Sequence, residues 1–214
     1  MIIIAKEADG SQIQDITARA GVFSQEEIEC VSELWEEYLT LGSDHCGYNF
    51  IVDREGDQVL GFACYGPRDL TNGVFDLYWI AVDPNARRNS VGRGLLTASE
   101  EEVQKLDGRM LIAETSGTPH YEPTRKFYLS MGYTIEATIK DFYVMGDDLV
   151  IFIKRLSPIR KNNPAPSYAK GTRGHPTGTF CQYKNPSSHE LGFFVSLLSS
   201  LSSQYASLIF PSLL

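Results

Sequence analysis

The stretch from Val74 to Glu114 constrains the fold more than any other part of the chain. Val74–Val82 (VFDLYWIAV) is a long aromatic and β-branched run closed by Asp83-Pro84, and it reads as a strand. Arg87 to Gly94 is a basic, Gly-containing connection; Leu95–Leu106 then has helical spacing, and Met110–Glu114 returns as a strand. Strand, helix and strand in this order require one parallel crossover, because parallel neighbours cannot be joined by a tight turn.

The elements on either side are read in the same way. Ile2–Ala5 is an opening strand, and Asp9 to Ala20 carries Ile13, Ile16 and Ala20 at helical spacing before Gly21. Ser24 with Glu27 three residues later forms a capping-box pattern. It opens a helix whose apolar face is Ile28, Val31, Leu34, Trp35, Tyr38 and Leu39 and which ends at Gly42. Tyr48–Asp53 and Val59–Tyr65 are strands joined across Glu55-Gly56-Asp57. Tyr121–Met131 is a helix stopped by Gly132. Tyr133–Ile139 and Leu149–Arg155 form a last strand pair, joined by a loop that contains Tyr143, Gly146, Asp147 and Asp148. Hairpins on both sides of one parallel crossover give an α/β (α+β) fold with a mixed, mostly antiparallel sheet covered by helices.

Charge and composition change together at Leu156. Five of the 19 basic and one of the 27 acidic residues follow it, which leaves 14 against 26 and a net charge of −12 on residues 1–156. So acidic a domain repels phosphate backbones, which argues against nucleic acid, and it attracts a cationic acceptor such as an amine. Residues 157–190 are rich in Pro, Gly, Ser, Asn and Thr without any period and read as disordered linker. Residues 191–214 are apolar and Ser-rich, uncharged, and borderline against the roughly twenty mostly apolar residues of a membrane span; a sticky or weakly helical tail is the expected reading over a membrane anchor, and the role is left open. The four cysteines are scattered, which fits no metal site and no disulfide framework and suits a reducing, cytoplasmic setting. MIII is followed at once by Lys6, Glu7 and Asp9, so no signal-peptide core develops.

The chemistry lies in Ile80–Leu96 (IAVDPNARRNSVGRGLL), which runs from a strand end into a helix start. Free N–H groups and the positive dipole end of a helix suit a diphosphate. Gly92 lets the backbone approach it, and Arg87, Arg88 and Arg93 add charge. This stretch resembles the coenzyme A signature of the GNAT superfamily of N-acetyltransferases, Gln/Arg-x-x-Gly-x-Gly/Ala. Arg87 matches the first position, Val91 the apolar one and Gly92 the final Gly, while Ser90 stands where the first Gly is usual and gives up easy positive φ. YEPTRKFYLSMGY (Tyr121–Tyr133) resembles the superfamily's Asn-x-x-Ala-x-x-apolar-Tyr-x-x-x-Gly-aromatic helix, with Tyr121 and Thr124 replacing Asn and Ala. The ending EATIKDFY…GDDLVIFIK is similar to that of the ribosomal-protein alanine acetyltransferase branch. The resemblance spans residues 1–156.

It implies a sheet of six or seven strands with a central, splayed parallel pair and about four helices. It implies that Ile80, Ala81 and Val82 pair with the pantetheine of acetyl-CoA, with no metal involved, and that an amide near Val82 polarises the thioester. The amides of Arg88, Asn89, Ser90, Val91, Gly92 and Arg93, with the Arg87 side chain, would hold the diphosphate, and Tyr121 would stand in the coenzyme-contact position. Glu114 matches the position of the carboxylate base and Tyr128 that of the acid. A phenol of pKa about 10 exchanges a proton readily with a thiol. His120 is a minor base candidate, and Asp76, Tyr78, Tyr143, Asp147 and Asp148 would rim the acceptor side. The expected partner is an amine acceptor, small molecule or peptide, with the oligomeric state open, a homodimer included. The competing reading is an acyl-CoA-binding sensor or interaction domain without turnover.

Overall fold

Alternation along the strands sorts their side chains onto two helical layers. In the computed structural model, which describes residues 1–87 and 89–157, the strands are β1 (Ile2–Ile4), β2 (Asn49–Glu55), β3 (Gln58–Pro67), β4 (Val74–Val82), β5 (Met110–Ser116), β6 (Thr134–Val144) and β7 (Asp147–Arg155). The helices are α1 (Gly10–Arg19), α2 (Gln25–Leu41), the one-turn α3 (Ser43–Cys46), α4 (Val91–Lys105) and α5 (Glu122–Ser130). All strands form one sheet in the order β1-β2-β3-β4-β5-β7-β6, antiparallel except for the β4–β5 pair. On β2, Phe50 and Val52 face Ile13, Ile16, Val31, Leu34 and Trp35 of α1 and α2. Ile51 between them faces Leu95, Leu96 and Val103 of α4 on the other side. Each such fully buried side chain contributes roughly 1.5–3 kcal/mol.

One β-bulge decides the site. The β3–β4 register runs Cys64↔Trp79 but Tyr65↔Leu77, so Tyr78 is an extra residue in β4. Without it, Trp79 would share a face with Leu77. Instead Phe75 and Leu77 enter the α4–α5 core while Trp79 and Ala81 enter the α1–α2 core.

The expected elements are all present, with corrections at their ends. Helix α4 begins at Val91, four residues before the expected start at Leu95. Gly92 and Gly94 read locally as loop residues, but a Cβ at Gly92 would lie 3.4 Å from Val82 Cγ2 and one at Gly94 3.2 Å from Ile2 Cδ1. Close packing on β4 and β1 holds this turn helical against its propensity. The loop expected between Ile139 and Leu149 is a tight hairpin, because both strands run on into it: Val144 pairs with Asp147, and only Met145 and Gly146 turn. The helix α3, expected nowhere, adds a fifth helix. The linker and tail read for residues 157–190 and 191–214 lie outside the described residues from 158 onward, as does Arg88.

Candidate active site

The two parallel strands part half-way along. β4 pairs with β5 only from Val74↔Met110 to Leu77↔Ala113, while β4 continues to Val82 and β5 to Ser116. Beyond Leu77 one edge of β4 therefore faces a gap. The Asp83 N–H donates to Leu60 O at 2.8 Å, which sets the phase of the β3–β4 ladder. Because main-chain groups alternate sides along a strand, Ala81 turns its groups to Phe62 of β3. Ile80 and Val82 turn theirs into the gap. Of the three expected main-chain contacts two are thus available, and Ala81 is spent on the sheet.

A cavity of about 260 Å³ opens in this splay. Tyr78, Trp79 and Ile80 line it from β4, Glu114, Thr115 and Ser116 from β5, and Tyr128 from α5. The α1–α2 corner adds Phe23 and Glu27, and the hairpin adds Tyr143 and Asp147. Tyr128 is 5% exposed and packs on Tyr133 and Phe152, and burial pushes its phenol well above the ordinary range. It is neutral at any working pH and carries a proton to give. The buried Trp79 Nε1 and Thr115 Oγ1 have no hydrogen-bond partner among the described residues, so a donor and a hydroxyl stand unsatisfied in the cavity wall.

The three carboxylates of the wall differ in their partners. Glu114 Oε1 accepts from Arg68 at 2.9 Å, and the same guanidinium holds Asp76 at 2.9 Å. The expected base is therefore one arm of an ion-paired triad. Asp147 accepts from Ser116 Oγ at 2.6 Å. Glu27 is 6% exposed; it accepts from the Ser24 N–H at 2.8 Å and from the Tyr121 hydroxyl at 3.4 Å. Burial pushes its carboxyl up to about 7, against the lowering effect of those two donors and with a small push from Glu26.

At the other end of the splay, the first turn of α4 presents its N–H groups without a side-chain cap. Ser90 sits there at φ 62°, in the left-handed conformation the usual glycine would supply. The substitution has kept the turn and put the strain on a serine. Gly92 lets this turn pack closely on the end of β4, where an added Cβ would lie 3.4 Å from Val82 Cγ2. Asn89 and Arg93 lie exposed beside it.

Three expectations are corrected by geometry. The Arg87 guanidinium donates to Ala20 O at 2.5 Å, so it ties the loop to the end of α1. Tyr121 donates to Val22 O at 3.1 Å and to Glu27, which makes it a wall of this cavity, held against the α1–α2 corner. Asp148 leaves the rim to pair with Lys140. Asp147, Tyr78 and Tyr143 do rim the cavity, and exposed His120 stands at its edge. Arg68, Ser116 and Glu27 were not expected in the site. Arg68 meets Glu114 across 46 residues of sequence, and no local pattern announces that. Glu27 carried a signal, the capping box, but one that reads only as a helix start. Among the described residues no group of His, Cys, Asp and Glu could hold a metal, and no helix is long and apolar enough to cross a membrane.

Comparison with known proteins agrees with this geometry. The acetyltransferase (GNAT) family matches residues 13–133. The chain belongs to that family of acetyl-CoA-dependent acyltransferases. A putative acetyltransferase of the GNAT family from Desulfovibrio desulfuricans is 39% identical, with a TM-score of 0.71 over 73% of this chain and 99% of its own. The ribosomal-protein-alanine N-acetyltransferase of Brucella melitensis is 25% identical, with a TM-score of 0.59 over 73% of this chain and 99% of its own. A putative acetyltransferase from Salmonella typhimurium, solved with its cofactor acetyl-CoA, shares the fold at 19% identity and a TM-score of 0.59, over 79% of this chain and 98% of its own. No curated protein matches the chain.

Proposed function

We propose that residues 1–156 transfer the acetyl group of acetyl-CoA to a primary amine, of a small molecule or a peptide, by direct attack on the thioester. One observation carries the reading: the unpaired main chain of Ile80 and Val82 faces the same splay into which Tyr128 projects from α5. The fit of acetyl-CoA is supported at both ends of that splay. The uncapped first turn of α4 offers the amides of Val91, Gly92 and Arg93 to a diphosphate. The free edge of β4 offers amides and carbonyls to an amide-bearing pantetheine arm. The Salmonella typhimurium relative, solved with acetyl-CoA, lends the same support.

In this reading the Val82 amide polarises the thioester carbonyl from a dry, preorganised position. The amine nitrogen forms its bond to the carbonyl carbon as the C–S bond breaks, and Tyr128 gives its proton to the departing sulfur. Burial raises the phenol's pKa and so keeps it protonated until the thiolate forms beside it. The proton that nitrogen sheds on forming the amide restores Tyr128. Arg68 ties Glu114 of β5 to Asp76 of β4 at the point where the two strands part, which fixes both side chains beside the acceptor side.

A free-thiol release assay with acetyl-CoA against a panel of amines and peptides tests this. Tyr128→Phe lowers kcat about 10²-fold with acetyl-CoA affinity nearly intact. An unaltered kcat removes Tyr128 from the mechanism. Acetyl-CoA binding without thiol release from any acceptor leaves the non-catalytic sensor as the answer.

A further inference from the structure

Of the carboxylates in the cavity wall, Glu114 is neutralised by Arg68 and Asp147 is bound by the Ser116 hydroxyl. Glu27 has two hydrogen-bond donors, one of them a long 3.4 Å contact, and no cationic partner among the described residues. A buried carboxylate without a counter-ion is costly unless a cation arrives or a proton binds. Among the described residues, the side chains around it supply no cation. Tyr121 faces it from the turn before α5, Tyr143 from β6, and Asp147 from β7, with Glu114 opposite on β5 and Glu26 on its own helix. Among the described residues, His120 at the edge is the one basic side chain lining the cavity.

We propose that Glu27 is the general base of this enzyme: it receives the acceptor's ammonium group in the cavity and takes its proton. The assignment rests on the acetyltransferase reading above. It moves the base from the β5 strand, where Glu114 stands, to the α1–α2 corner. An acceptor arrives as R–NH3⁺ and must lose two protons to become an amide. Glu27 accepts the first, which frees the lone pair, and later passes it to water at the cavity mouth. The second leaves nitrogen as the C–N bond forms and replaces the proton that Tyr128 gave to sulfur. Atoms and charge balance to acetylated amine, free thiol and one released proton. The carboxyl's position near 7 suits this work, since about half of it is ionised at neutral pH and it is far more basic than a carboxyl at 4.5. The capping box holds it in place: Ser24 fixes Oε2 and Tyr121 reaches Oε1, so the carboxylate faces the cavity without a rotamer search.

The test is the pH profile of thiol release by the full chain and by Glu27→Gln. Gln keeps an oxygen for the Ser24 N–H, so the capping box and the fold survive; circular dichroism and an unchanged Kd for acetyl-CoA check that. Wild type shows an acidic limb near pH 7 in kcat/KM for the amine. Glu27→Gln loses roughly 10²-fold at pH 7.5 and loses that limb. Glu27→Asp, a shorter base, keeps the limb at a lower rate. A limb and rate unchanged in Glu27→Gln, or a limb that vanishes only in His120→Gln, overturns the assignment while leaving the acetyltransferase standing. A wild type that releases no thiol with any acceptor overturns both.

Discussion

Serine stands at the N-cap of both α2 and α4, and the two do opposite things. Ser24 is extended, at φ −74° and ψ 172°; its Oγ accepts from Glu27 N at 3.2 Å and the Glu27 carboxylate answers on its own N–H. That helix end is satisfied from within. Ser90 is left-handed at φ 62°, its side chain caps nothing, and the first N–H groups of α4 point outward. A helix end that closes on itself can lend its capping carboxylate to an adjoining cavity. One left open at a backbone cost keeps its first N–H groups free, and the proposed function assigns them to an anion that comes from elsewhere. The site lies between these two solutions.

That contrast can be broken at several points. The largest effect is expected at the open end. Gly92→Val drives a branched side chain against Val82 and Phe127, where a single Cβ already reaches 3.4 Å and 3.8 Å. Coenzyme A binding, followed by calorimetry, weakens about a hundredfold; normal binding shows that this turn holds no phosphate.

Next comes the pH dependence of the closed end. Folding pushes the Glu27 carboxyl up to about 7 from 4.5, so the folded protein keeps a proton that the unfolded chain has lost between those values. Stability from this group is complete below about pH 4.5 and disappears as pH rises through 7. Glu27→Gln cannot ionise. It gains stability over wild type at pH 8, of order 2 kcal/mol with solvent at the cavity mouth allowed for, and gains nothing at pH 4. Urea unfolding at the two values measures it, and equal differences at both would show that folding leaves the Glu27 carboxyl at its unfolded value.

Smaller still is Ser24→Ala, which removes half of the capping box and costs about 1 kcal/mol. Smallest is Ser90→Gly, which relieves the left-handed strain and stabilises by roughly 0.5–1 kcal/mol. Thermal unfolding separates the two by sign. A destabilised Ser90→Gly would mean that the hydroxyl is used after all.

That Tyr128 reaches the cavity was foreshadowed by the family resemblance of its helix, because Phe127, Tyr128, Gly132 and Tyr133 carry that motif within one short segment. Ile80, Ala81 and Val82 read as one unbroken strand, in which Ala81 was not separable from its neighbours. Which residues turn to β3 and which to the gap depends on the ladder set by Leu60 and Asp83, a contact between two strands. Arg87 read as a phosphate ligand because charge can be counted locally, whereas its bond to Ala20 spans 67 residues.

By itself the sequence determined the strands and helices, the parallel crossover, the order of the two coenzyme motifs and the capping box. All of these are encoded by residues a few positions apart. Only the tertiary structure decided that Tyr78 bulges out of β4, that Glu114 is taken up by Arg68, and that Glu27 is sealed beside Tyr121 in the wall that Tyr128 also lines. A carboxylate's chemistry follows from the water it has lost and the charge it meets, and both come from segments distant along the chain.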